Sequence, residues 1–155
     1  MDETEPRWFF ANLVRVRLSQ QVAGQMSVVE FAAPPGDMPP LHLHLKDDEA
    51  WYVLEGEMSF FVGDNEPKRI AAGAIAFGPK GVPHTYRVEG ARDARWLAIC
   101  TPGDFEHFVL AASRPADRQA LPPPGDPSSE QEVVAITALA AEHRIELLGP
   151  PGALP

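Results

Sequence analysis

Proline sets the strongest limit on what this chain can become. Its 17 prolines among 155 residues each fix a backbone angle and remove an amide donor, which favours many turns and short elements over long helices. Between the turns, the first hundred residues alternate. From Asn12 to Ser19, Val14, Val16 and Leu18 face one way and Arg15, Arg17 and Ser19 the other, the period of two of a half-buried strand. Gln25 to Ala33 is a second run, stopped by Pro34-Pro35-Gly36, and Leu41 to Leu45 is a third. Trp51 to Leu54 and Met58 to Val62 form a pair split by Glu55-Gly56-Glu57. Lys68 to Ile70, Ile75 to Phe77, His84 to Val88 and Ala94 to Cys100 complete the set. Many short strands with turns at this spacing predict an all-β sandwich or barrel.

The period changes at Thr101. Thr101-Pro102-Gly103-Asp104 offers an N-cap and an early proline, and Phe105, Phe108, Val109 and Ala112 then recur at helical spacing. Residues 114 to 129, rich in Pro, Asp and Ser, read as a loop. Ser129-Glu130-Gln131-Glu132 is a capping-box pattern, which predicts a helix to about His143 with Val133, Ile136, Leu139 and Ala140 on its apolar side. Gly149-Pro150-Pro151-Gly152 cannot continue it. The expected organisation is one domain over residues 1–155, with a barrel core over about 25–100 and a helical extension over about 101–148.

Charge and composition narrow the function classes. A net charge of −9 lacks the basic footprint that nucleic acid or an anionic membrane surface requires. The single cysteine, Cys100, excludes an intrachain disulfide and reads as a small buried apolar residue. No apolar run approaches the roughly 20 residues that span a bilayer. The acidic start, Met1 to Pro6, lacks the basic and apolar regions of a signal peptide. A soluble cytoplasmic protein with no nucleic-acid or membrane partner is the expectation.

The residues that carry chemistry lie in the middle. His42 and His44 are two apart in an alternating strand, so both imidazoles share a face, about 7 Å apart along the chain. Glu49 follows a short Lys46-Asp47-Asp48 turn, and an antiparallel neighbour strand can bring its carboxylate back. His84 comes from a distant strand just after Pro79-Lys80-Gly81-Val82-Pro83. Three neutral imidazoles and one carboxylate suit one divalent Fe, Mn, Co, Ni, Cu or Zn. His107 lies off the helical stripe and is expected to face solvent. His143 is expected to be structural, at a helix C-terminus where a cation is favoured.

Gly36, His42, His44, Glu49 and Gly56 are separated by five, one, four and six residues, and Gly73, Pro79, Gly81 and His84 by five, one and two. These spacings match the two motifs of the cupin superfamily, which the chain resembles over residues 36–88. The first motif alone would arise at a given start on the order of once in a million at these compositions. The second motif of the family ends in an Asn, not a metal ligand, where this chain has Val88. The resemblance implies a jelly-roll β-barrel with two C-terminal helices packed outside, and a metal held by His42, His44, Glu49 and His84.

A small cupin followed by a helix near Thr101-Pro102-Gly103, a Pro-rich loop, a second helix and the phrase Ile145-Glu146-Leu147-Leu148-Gly149-Pro150-Pro151 looks like bacterial quercetin dioxygenase-like proteins. That resemblance implies a metal-dependent dioxygenase that cleaves a small enolisable, flavonol-like aromatic with O2 and releases carbon monoxide, with Glu49 as both ligand and general base. Met26, Met38, Trp51, Phe60, Phe77, Tyr86 and Trp96 are candidates for an apolar substrate pocket. The alternatives are a non-catalytic small-molecule-binding or sensor cupin, and a metal-dependent isomerase or decarboxylase. The alternation that turns His42 and His44 inward turns Leu41, Leu43 and Leu45 outward, and a free N-terminal strand, Asn12 to Ser19, could pair with a second copy. Both features, and the habit of small cupins, point to a homodimer.

Overall fold

The computed structural model describes residues 5–155; Met1 to Thr4, part of the segment read above as lacking a leader, lie outside it. In chain order the elements are β1 (Arg7–Phe9), β2 (Asn12–Leu18), α1 (Gln20–Ala23), β3 (Ser27–Ala33), β4 (Pro40–His44), β5 (Asp48–Glu55), β6 (Glu57–Val62), β7 (Lys68–Ala71), β8 (Ile75–Gly78), β9 (His84–Glu89), β10 (Ala94–Thr101), α2 (Phe105–Ala112), β11 (Arg114–Pro115), α3 (Glu130–Glu142) and β12 (Ile145–Pro151). The strands form two antiparallel sheets, β11-β1-β2-β3-β10-β5-β8 and β12-β4-β9-β6-β7. They enclose one apolar interior, the jelly-roll arrangement expected.

Alternation decides what faces that interior. On β3, Ser27, Val29, Phe31 and Ala33 are buried, and on β10 so are Ala94, Trp96, Ala98 and Cys100. Strand register aligns these residues in rows: Phe31 opposite Trp96, Trp96 opposite Val53, and Ser27, Cys100, Glu49 and Gly78 in line. Trp51 and Trp96 are each 1% exposed, and rings of this size bury on the order of 200 Å2 apiece. The turn from β5 to β6 requires Gly56. Its φ is +80°, and a Cβ there would meet Ala94 Cα and Asp93 O at 2.9 Å.

Several expectations need correcting. The larger sheet begins at Arg7 rather than about residue 25, because β2 pairs with β1 on one side and β3 on the other. Leu13 and Val14 are therefore flanked on both sides, and β2 is not a free strand. Strands β1 and β11, of three and two residues, are too short to show a period. The helical extension does not run to 148. Arg144, at φ +61°, turns the chain after α3, and Ile145–Pro151 lies antiparallel to β4, with Ile145 opposite His44 and Leu147 opposite His42. Pro150 and Pro151 stop a helix but are tolerated here because β12 is an edge strand. With β12 in place, Leu41 is buried and Leu43 half-buried, and only Leu45 of the three leucines is exposed.

The helices also differ from expectation. Pro102 precedes α2, which starts at Phe105 with Asp104 as N-cap. Phe105, Phe108 and Val109 are buried in the core, and the Phe105 ring stacks on Phe31 at 6.2 Å. Helix α2 thus buries its apolar side in the core, whereas α3 packs on it more lightly, burying Ala140, part-burying Ile136 and Leu139, and leaving Val133 half exposed. No helix among the described residues is long and apolar enough to cross a membrane.

Candidate metal centre

Strands from both sheets bring His42, His44, Glu49 and His84 together. His42 and His44 come from β4, His84 from the facing position of β9, and Glu49 from β5 in the opposite sheet. One nitrogen or carboxylate oxygen from each of the four lies within 4.8 Å of all the others. Ligands about 2.1 Å from a common ion would sit roughly 3 to 4.2 Å apart, so the cluster is close to the size a single ion needs.

The protonation states fit as well. His42 Nδ1 donates to the Pro40 carbonyl at 2.7 Å, and His84 Nδ1 to the Val82 carbonyl at 3.1 Å. A carbonyl only accepts, so in the neutral rings both Nε2 atoms carry lone pairs, and the backbone fixes which nitrogen is free to ligate. His44 Nε2 and His84 Nε2 are fully buried and have no hydrogen-bond partner. They nonetheless lie 3.2 and 3.3 Å from Glu49 Oε2. These contacts have salt-bridge distances without hydrogen-bond geometry. At His84 a lone pair therefore faces a carboxylate oxygen, an arrangement that a shared cation converts from repulsion into two bonds.

Electrostatics point the same way. Burial, reinforced by His84 and His44, pushes the His42 pKa down to about 3, so its ring is neutral near pH 7. Burial opposes ionisation of Glu49, but protonated His44 and His84 rings, or a cation shared with them, outweigh burial and hold it below the usual glutamate range. A neutral imidazole and an ionised carboxylate are the ligating forms.

Aromatic rings form an arc that starts and ends on the cluster. From His84 they run through Trp51 at 5.1 Å, Phe60, Tyr86, Trp96, Phe31 and Phe105, and return to His44 at 4.9 Å, with every ring 4.9 to 6.2 Å from the next. Of the seven pocket candidates, Trp51, Phe60, Tyr86 and Trp96 belong to this arc. Met38 is half-buried. Met26 and Phe77 are 38% and 57% exposed and line no interior. Phe77 fails because β8 turns Ala76 and Gly78 inward instead. A Cβ on Gly78 would sit 2.6 Å from Trp51 Cη2, so the small residues of β8 make room for Trp51 beside His84. His107 is half-buried and donates to Gln20 Oε1 at 2.9 Å. Cys100 is buried in the row beside Glu49, and burial raises its thiol pKa well above the ordinary value.

Sequence reasoning missed Phe31, Phe105 and Asp47. Phe105 was assigned to an outer helical stripe, and Phe31 is a core residue with no motif around it. Asp47 had a readable signal, since positions 47, 49, 51 and 53 share one parity, and all four are buried.

Comparison with known proteins agrees with this geometry. The cupin domain model matches residues 29–100. Quercetin 2,3-dioxygenase from Bacillus subtilis is 29% identical over 115 residues, which is 74% of this chain but only 34% of that protein. The chain thus spans about a third of that relative's length. A predicted oxalate decarboxylase from Thermotoga maritima has a similar structure, with TM-score 0.57 and 25% identity over 64% of this chain and 93% of that one. So does TT1209 from Thermus thermophilus, with TM-score 0.50 and 30% identity over 66% and 88%. The chain is a small cupin, similar to quercetin dioxygenase-like proteins.

Proposed function

We propose that this cupin is a metal-dependent dioxygenase acting on a small enolisable aromatic, flavonol-like substrate. The observation that carries the reading is the convergence of a buried Glu49 with three histidines, two of which pack against the Phe105 and Trp51 rings. A divalent transition metal on these four residues would supply Lewis acidity and a place for O2 to react. The chain's own residues supply the rest. Glu49 accepts the proton of the substrate hydroxyl and holds it by hydrogen bond. His42 and His84, oriented through their Nδ1 bonds to Pro40 and Val82, keep their Nε2 atoms on the cluster. Trp51, Phe60, Tyr86 and Trp96, buried against one another behind His84, make that side of the site apolar and exclude water from it. The similarity to quercetin 2,3-dioxygenase supports the substrate class, and the decarboxylase-named neighbour keeps O2-independent chemistry as the second reading. Turnover of a panel of flavonols, diketones and small hydroxy acids, with and without O2, tests it. O2-dependent loss of a flavonol is expected. Equal turnover in anaerobic buffer would favour an isomerase or decarboxylase, and no turnover a binding module.

A homodimer belongs to the same proposal, on different grounds from the leucines and the strand considered above. Tyr52 and Ile75 face each other across β5 and β8, and Phe77 lies two residues further along. They are 37%, 50% and 57% exposed beside the open edge of β8, an apolar face of the kind soluble monomers seldom leave uncovered. Sedimentation equilibrium showing only a 16.9 kDa species at micromolar protein would contradict it.

A further inference from the structure

We propose that Asp47 is a positioning residue for the metal centre, locking the start of α2 onto the loop that delivers Glu49. The inference rests on the metal reading above. Asp47 is 3% exposed and sits two residues before Glu49, on the same inward parity. Its Oδ1 accepts from the Gly103 and Asp104 amides at 2.8 and 3.2 Å, and its Oδ2 from the Phe105 amide at 2.7 Å. These are amides at and just before the first turn of α2, a helix whose own N-cap, Asp104, makes no side-chain capping bond. Asp47 therefore does for α2, from 56 residues away in sequence, what a local cap ordinarily does.

The position of Asp47 gives this bond a second consequence. The Phe105 ring, whose amide Asp47 holds, packs edge-on to His44 with ring centroids 4.9 Å apart. One carboxylate thus fixes the backbone leading to one ligand, Glu49, and the ring that abuts another, His44. Close approach at Gly103 reinforces the fit, since a Cβ there would lie 2.6 Å from the Ser27 amide nitrogen. A second buried carboxylate provides a natural control. Glu106, 1% exposed, accepts from Ser19 Oγ and the Gln20 amide at 2.8 and 3.1 Å. It ties α2 to the start of α1, and neither of its partners belongs to the metal cluster.

The test compares Asp47→Ala, Asp47→Asn and Glu106→Gln. Each is stripped of metal and titrated with Co2+, whose visible absorption reports coordination geometry. Thermal unfolding of the metal-free forms is measured alongside. Both Asp47 variants and Glu106→Gln should unfold at lower temperature. Only the Asp47 variants should change the Co2+ spectrum. Asp47→Ala should weaken Co2+ binding about tenfold, the lower end of what residues supporting a metal shell contribute. Asp47→Asn keeps one accepting oxygen, so it should fold even where the alanine variant does not and should show a smaller shift in the same direction. Wild-type Co2+ affinity and spectrum in Asp47→Asn would overturn the assignment. So would equal spectral changes in Glu106→Gln, which would make the effect one of general stability. If the wild-type protein itself binds no Co2+, the metal reading fails, and that outcome is distinct from both.

Discussion

Removing the metal should make the protein sensitive to acid through His42 in particular. In the unfolded chain this imidazole takes up a proton near its ordinary pKa of 6.5, whereas in the folded, metal-free protein burial and the neighbouring His84 and His44 delay protonation until about pH 3. Between those values the unfolded state binds more protons, so stability is full above pH 6.5 and falls as the pH drops toward 3. The slope is at most about 1.4 kcal/mol per pH unit for one site, which amounts to about 2 kcal/mol between pH 8 and pH 5. Part of His42 reaches the surface, so this is an upper figure. Urea unfolding of chelator-treated protein at pH 8, 7, 6 and 5 measures it. At about 2 kcal/mol per molar of urea, the midpoint should fall by about 1 M. In His42→Gln, which cannot titrate, about that much of the acid loss should disappear, whatever the remaining groups contribute. An unchanged pH dependence in His42→Gln would refute the reasoning, because the shift would then lie elsewhere.

Three other outcomes follow from the same geometry. Glu49→Gln keeps an oxygen ligand but loses the base, so turnover of an accepted substrate should fall far more than metal content; parallel loss of both would remove Glu49 from the proton-transfer role. Gly78→Ala should destabilise by about 1 to 3 kcal/mol, the usual cost of overpacking, because its Cβ would strike Trp51 Cη2, and a wild-type melting temperature would show that Trp51 has room to move. Gly56→Ala should cost about 2 kcal/mol in unfolding free energy from its left-handed φ and the contact with Ala94, while Gly36→Ala, where a Cβ meets nothing within 4 Å, should cost less.

The candidate metal cluster was legible because its signals lie in short sequence patterns. A period of two places His42 and His44 on one face, and motif spacing selects Glu49 over the neighbouring Asp47 and Asp48 and brings in His84. The strand set was legible for the same reason. What escaped depends on partners distant in sequence. β12 looked like a helix stop because Pro150 and Pro151 were read without the edge position that admits them. Phe77 is a candidate by its nearness to the motif and by strand parity, but the inner face of β8 is Ala76 and Gly78, which admit Trp51. Asp47 looked like a turn residue, since its partners, Gly103 to Phe105, come together with it only after β5 and β10 pair. Phe105 showed its helical stripe but not that the stripe would point into the sandwich beside His44.

Metal content of the purified chain, by elemental analysis before and after mutation, bears most directly on the central assignment. Wild-type protein reloaded with a divalent transition metal and desalted should retain close to one equivalent per chain, and His84→Ala and His42→Ala should each release most of it while remaining folded by circular dichroism. Wild-type metal content in a folded His84→Ala protein would contradict the assignment of His42, His44, Glu49 and His84 as the metal centre.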